Sequence, residues 1–149
     1  TIDDLKNKID RNSRLVGLDV GTKRIGISIC DDKRSIATPL KTLAYSNINN
    51  LINELDTIIF ENNIKGIIIG NPINMDGSLG KASQSVKSKV DIISKRITIP
   101  IVLWDERLST VGAFNISSLL DVNVSKRTKK IDENAAAFIL QGAIDYLNN

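Results

Sequence analysis

The sequence predicts an α/β fold, a mixed five-stranded sheet with helices on its faces. Three observations predict it. Residues 15–43 divide into three strand-like runs joined by short polar turns, the mark of an antiparallel meander. Beyond them, apolar residues recur at helical spacing and at strand spacing by turns, which implies a parallel half built by right-handed crossovers. The run Gly66-Ile67-Ile68-Ile69-Gly70 is apolar throughout, as expected of a strand covered on both faces.

The elements follow in order. Residues 1–13 are polar with scattered Ile2, Leu5 and Ile9, and read as an arm or a short helix; residues 14–149 read as one domain. Residues 15–20 form the first strand, and Gly21-Thr22-Lys23 a turn. In 24–30, Ile25, Ile27 and Ile29 share one face, with Gly26, Ser28 and Cys30 on the other. A third strand covers 35–43, and Pro39, which lacks an N–H, predicts that it lies at an edge. Ser46 or Asn47 caps a helix reaching Asn62, with Ile48, Leu51, Ile52, Leu55, Ile58 and Ile59 as its apolar stripe. A strand over 65–70, a loop over 71–80, a helix over 81–96 and a strand over 99–104 come next. Ser109 or Thr110 caps a helix reaching Leu120, 121–130 reads as a loop, and a final helix covers 132–147.

Composition narrows the chemistry. The chain of 149 residues has no histidine and one cysteine. That excludes Ser-His-Asp and Cys-His catalysis and every closed zinc site. Cys30 lies in an apolar strand pattern and reads as a buried small side chain; a lone cysteine fits a reducing, cytoplasmic setting. The N-terminus is of mixed charge, unlike a signal peptide, and no apolar run is long enough for a membrane span. A net charge of +3 permits nucleic-acid binding without requiring it. Any catalysis must come from carboxylates, lysines, hydroxyls and backbone, and carboxylate clusters select hard ions such as Mg2+ or Mn2+.

The stretch VGLDVGTKRIGISI places Asp19 inside a run that otherwise reads as a buried strand. A charge there is costly unless a turn, a phosphate or a metal ion compensates it. Sites in open α/β sheets lie beyond the carboxyl ends of the parallel strands. Asp19 ends the first strand, and Asp105 and Glu106 end the last. Asp132 opens the final helix, in phase with Ala136, Ile139 and Ala143 on its packing face. If the first and last strands are neighbours, these acids converge, and one or two divalent ions would offset their repulsion and promote phosphoryl transfer. Lys23, Arg24 and Arg107 flank the acids, where they can meet phosphates. Lys126, Arg127, Lys129 and Lys130 give four cations in five residues, read either as a solvated loop or as an arm on a phosphate backbone. The loop NPINMDGSLG is either a plain turn or a flap over such a backbone.

In this order and spacing, GLDVGTKRIGISI, NPINMDGS, WDERLST and KIDENAAAFIL resemble the YqgF/RuvX family over about residues 14–147. The resemblance implies a ribonuclease H-like fold and a nuclease that processes the 5′ end of precursor 16S ribosomal RNA. The alternative it implies is a Holliday junction resolvase, which would act as a homodimer. It implies that Asp19, Glu106 and Asp132 hold the metal, with Asp105 ranked below because strand alternation turns it away from Glu106. Asn71 departs from the family pattern, which often has an apolar residue there. Two other readings stay open. DVGTKRIG also resembles the phosphate-binding hairpin of actin-like ATPases, which need two such domains, and a non-catalytic module binding nucleic acid or pre-ribosomal particles would use the same fold.

Overall fold

Alternation along each strand decides which helix covers which face of the sheet. The structure, a computed structural model, describes residues 2–10, 12–21, 23–72, 76–105 and 124–148, with the side chains of the last helix described from Asn134 onward. Its strands are β1 (Arg14–Val20), β2 (Arg24–Cys30), β3 (Ala37–Ala44), β4 (Ile64–Asn71) and β5 (Ile101–Asp105). Its helices are α1 (Ile2–Lys8), α2 (Ile48–Asn62), α3 (Lys81–Arg96) and α4 (Val124–Asn148). The sheet order is β3-β2-β1-β4-β5. β1 pairs antiparallel with β2, and β2 with β3, whereas β1–β4 and β4–β5 are parallel. This is the expected meander joined to a parallel half, and β3 lies at the edge as Pro39 predicts. Ile27 pairs with Lys41 and Ser28 with Pro39, so Leu40 is left over as a β-bulge.

One face carries Val16, Leu18, Ile25, Ile27, Ile67 and Ile69, packed on Leu51, Ile52 and Leu55 of α2 and on Val86 and Ile93 of α3. The other face carries Leu15, Cys30, Ile68, Val102 and Trp104, packed on Ile139, Leu140, Ala143 and Ile144 of α4 and on Leu5 of α1. Asn47 caps α2, its side chain accepting from the Asn50 N–H at 2.9 Å. Cys30 is buried, accepts from the Leu15 N–H at 3.0 Å, and has its thiol pKa pushed up by burial, so it is a packing residue. No helix among the described residues is long and apolar enough to cross a membrane.

The sequence reading of 121–130 as a loop is corrected. α4 already runs from Val124, so Lys126, Arg127, Lys129 and Lys130 are helical, and Asp132 lies well inside the helix instead of opening it. Lysine and arginine are good helix formers, and nothing in the basic run breaks a helix. Among the residues of α4 whose side chains are described, Ala135, Ala136, Ile139, Leu140, Ala143 and Ile144 form the buried stripe. The predicted helix between Ser109 or Thr110 and Leu120 lies outside the described residues.

The turn between β2 and β3 is held by charge. The Asp31 carboxylate accepts from the Ile36 N–H (2.9 Å), the Ser35 N–H (2.7 Å) and the Ser35 hydroxyl (2.8 Å). The N–H groups of Ile36 and Ser35 hold its pKa down at about 2, against an ordinary 3.8. A pKa lowered on folding stabilises the fold above the unfolded value and ceases to do so as pH falls through the folded one. The stabilisation from this turn is therefore expected to be complete above about pH 4 and to vanish toward pH 2. Urea titrations between pH 5 and 2 test it: Asp31→Asn should be less stable than the unsubstituted protein at pH 5 and should lose less stability on acidification. Equal slopes for the two proteins would contradict the assignment.

Arg34 follows in the left-handed region (φ 53°) and is buried. Its guanidinium donates to the Asp10 carbonyl (3.0 Å) and to Asn148 Oδ1 (3.1 Å), and the Asn148 amide donates back to the Arg34 carbonyl (2.8 Å). The turn, the approach to β1 and the end of α4 are thereby tied together.

Candidate active site at the carboxyl end of the sheet

Asp19 sits one residue before the end of β1, where the strand emerges half-buried from the core. Leu15 packs beneath α4, and a Cβ on Gly17 would strike the Ala136 carbonyl and Leu140 Cβ. Alternation therefore puts Asp19 on the α4 face of the sheet. Its partner on β2 is Gly26. On β4, Leu18 pairs with Ile69, which brings Asp19 level with Gly70. The residues directly level with it on the two neighbouring strands are thus both glycines. Gly70 is the residue that the sequence reading missed, having treated it only as the end of an apolar run.

The condition that the first and last strands be neighbours is not met, because β4 lies between them. Two strand spacings, ~10 Å, separate β1 from β5. Gly70 pairs with Trp104 and Asn71 with Asp105. Val102 and Trp104 face α4, whereas Ile101 and Leu103 pack toward α2 and α3. Asp105 consequently turns to the α2/α3 face, away from Asp19. Glu106 and Arg107 lie outside the described residues.

α4 approaches β1 closely because Gly17 has no side chain. The Ser28 hydroxyl spans the contact, donating to the Ala136 carbonyl at 2.7 Å. Farther along α4, Gln141 accepts from the Ala37 N–H and Asn148 meets Arg34, both at the opposite end of β1. The helix therefore runs antiparallel to β1, its earlier residues lying toward Asp19. Asp132 is one turn, ~6 Å, before Ala136. Asp19 is two residues, ~7 Å, past Gly17. Their backbones reach the same level of the fold. Lys126, Arg127, Lys129 and Lys130 continue α4 beyond that level.

Lys23 and Arg24 are exposed in the turn beside Asp19. The Gly21 N–H donates to the Arg24 carbonyl (2.9 Å), and the Lys23 carbonyl accepts from the Tyr45 N–H (2.9 Å), so the turn is fixed at both ends. The departure at Asn71 has a structural use: its side-chain oxygen accepts from the Ser83 hydroxyl at 2.6 Å, in a buried contact that joins the end of β4 to α3. In the following loop, Asp76 Oδ1 accepts from the N–H (2.9 Å) and the hydroxyl (2.6 Å) of Ser78. Residues 73–75 of that loop lie outside the described residues.

Oxygen is the only donor type this end of the sheet offers a metal, since there is no histidine and the one cysteine is buried at the other end of β2. A half-buried carboxylate at the end of β1 fits a hard cation by donor chemistry. Among the described residues, no three acidic, cysteine or histidine side chains form a metal-sized group.

Comparisons with known proteins converge. The family model RuvX, described as Holliday junction resolvase, matches residues 13–146. A protein of Pelagibacter ubique named "Putative pre-16S rRNA nuclease" is 66% identical over 149 residues, covering 100% of this chain and 99% of its own. A protein of the same name from Rhodobacter capsulatus is 40% identical over 98% of this chain and 92% of its own. Among solved structures, Thermus thermophilus RuvC in complex with a Holliday junction superposes with a TM-score of 0.55 at 11% identity, over 90% of this chain and 94% of that one. The fowlpox virus resolvase bound to Holliday junction DNA gives 0.52 at 12% identity, over 91% and 97%. At such identities the likeness establishes the fold, which is that of the resolvases.

Proposed function

The chain belongs to the RuvX family, and from that membership we propose that it is a metal-dependent nuclease. The proposed reaction is hydrolysis of phosphodiester bonds at the 5′ end of precursor 16S ribosomal RNA, in the bacterial cytoplasm. The observation that carries the reading is Asp19, a half-buried carboxylate at the carboxyl end of β1 with glycine on both sides. Relatives named as pre-16S rRNA nucleases support the substrate.

Asp19, Glu106 and Asp132 would hold one or two Mg2+ or Mn2+ ions. Such an ion supplies positive charge against the charge that develops on the phosphate oxygens. The chain's own residues do the rest. The β1 ladder fixes the backbone of Asp19. Ser28 and Gly17 set the distance of α4 from the sheet and so position Asp132. Lys23 and Arg24, in a turn pinned by two backbone hydrogen bonds, would bind phosphates beside the cut. Arg107 and the basic stretch 126–130 would extend that contact. Aromatic residues make up only 4% of the chain, so binding would rest on charge more than on stacking.

The test is cleavage of a precursor rRNA fragment carrying the 5′ junction, set against a four-way DNA junction, each in Mg2+ and in chelator. Mg2+-dependent cleavage of the RNA at a defined 5′ position is the expected result. Symmetric cutting of the DNA junction alone would replace the substrate assignment with that of a resolvase. Cleavage unaffected by chelator would overturn the metal assignment.

A further inference from the structure

At the pole opposite Asp19, we propose, exposed lysines form a second contact for the phosphate backbone of the same substrate; this rests on the nuclease reading above. Three adjoining clefts of about 430, 250 and 340 Å³ surround the segment between α1 and β1. Lys6 and Lys33 line the first, Lys65 the second, and Lys8 with Lys65 the third. All four lysines are exposed. Behind them Arg34 adds a fixed charge, its guanidinium held on the Asp10 carbonyl and Asn148. Asp10 and Asp32 are the acids on the cleft walls, so cations prevail.

α1 carries Asp3 and Asp4 in its first turn and Lys6 and Lys8 in its last, and it is the basic end that borders the clefts. Cations gathered along adjoining clefts attract a polyanion. The distance suits a continuous nucleic acid. Arg14, at the near end of β1, is five residues from Asp19, ~17 Å along the strand. Each strand of a B-form DNA duplex carries about one phosphate per 3.4 Å of axis, so a strand running from Asp19 to this pole brings several phosphates within reach of the lysines. Ile9 and Leu147, which line the first cleft, belong to the α1/α4 core. A substrate with structure on both sides of the cut would gain affinity and register from this contact, whereas a short oligonucleotide would not reach it.

The experiment compares the unsubstituted protein with a triple variant, Lys8→Ala, Lys33→Ala and Lys65→Ala, and with its Lys→Arg counterpart. Binding of a long precursor rRNA hairpin is measured in chelator over about 50–200 mM salt. Cleavage of a short oligonucleotide is measured in Mg2+. For the alanine variant, the slope of log affinity against log salt on the hairpin is expected to fall by about 2, with short-substrate cleavage unchanged. The arginine variant should keep the full slope. An unchanged slope with intact hairpin binding would overturn the second contact and leave the nuclease reading standing. An equal loss of short-substrate cleavage would also overturn it, placing the lysines' effect at the active site or in the fold. Failure of the unsubstituted protein to bind or cleave either RNA would overturn the nuclease reading, and the second contact with it.

Discussion

Asp19→Asn should lower the cleavage rate about a thousandfold or more, equivalent to about 4 kcal/mol of transition-state stabilisation, without lowering thermal stability. The side chains are nearly the same shape, so the β1 ladder and the flanking glycines Gly26 and Gly70 are undisturbed. What disappears is the negative charge, which a cation needs. An uncharged group beside a phosphate also removes repulsion, so substrate binding should hold or tighten. Single-turnover cleavage in Mg2+, thermal unfolding and RNA binding separate these effects. Asp105→Asn is the comparison, because that residue turns to the α2/α3 face. It should retain cleavage within about tenfold, which is about 1.4 kcal/mol. Full activity of Asp19→Asn, or equal losses in the two variants, would refute the assignment of the site to the α4 face.

Gly17→Ala should be strongly destabilising. The new Cβ would lie 2.5 Å from Ser28 Oγ, 2.7 Å from Leu140 Cβ and 2.9 Å from the Ala136 carbonyl oxygen. Ser28 can rotate only by giving up its bond to Ala136, and the other two atoms belong to or adjoin the α4 backbone. Overpacking against a rigid neighbour costs about 3 kcal/mol, which in a chain of this size lowers Tm by roughly 10 °C. The strain is relieved by moving α4 outward, and α4 carries Asp132, so cleavage should fall together with stability. Gly66→Ala is the control. Its Cβ would be 2.9 Å from Leu15 Cδ2 and 3.3 Å from Leu5 Cδ1, both ends of flexible side chains. It should be milder in Tm and near-silent in kcat. Comparable damage from the two substitutions would mean that the closeness of α4 to the sheet is not what matters.

Much of the fold was legible in the sequence because the periods were clean. The alternation of Ile25, Ile27 and Ile29 against Gly26, Ser28 and Cys30 is reproduced as the two faces of β2, and Asn47 caps α2 as its place before the apolar stripe implies. Pro39 marks β3 as an edge strand. What escaped reading depends on contacts between distant segments. The start of α4 could not be found from an apolar stripe, because Ser125 to Lys130 include no apolar residue to mark it. The insertion of β4 between β1 and β5 follows from pairing, which leaves no local trace. Gly70 looked like punctuation until its level with Asp19 was set by the registers of β1 and β4. The same holds for the acids: Asp19 and Asp105 were picked out by type and position, and the face each one occupies emerged only from the packing of their neighbours.

The leftover Leu40 beside Pro39 bears on how two copies of this chain can meet. An edge strand with a regular row of N–H and C=O groups invites another strand to extend the sheet. β3 refuses that invitation: proline supplies no N–H, the bulge throws the next residues out of step, and the Ala37 N–H is already taken by Gln141. A dimer of this protein would not be built by extending the sheet from β3. Sheets joined edge to edge, and the fibres such joining propagates, are barred at this margin by the chain's own geometry.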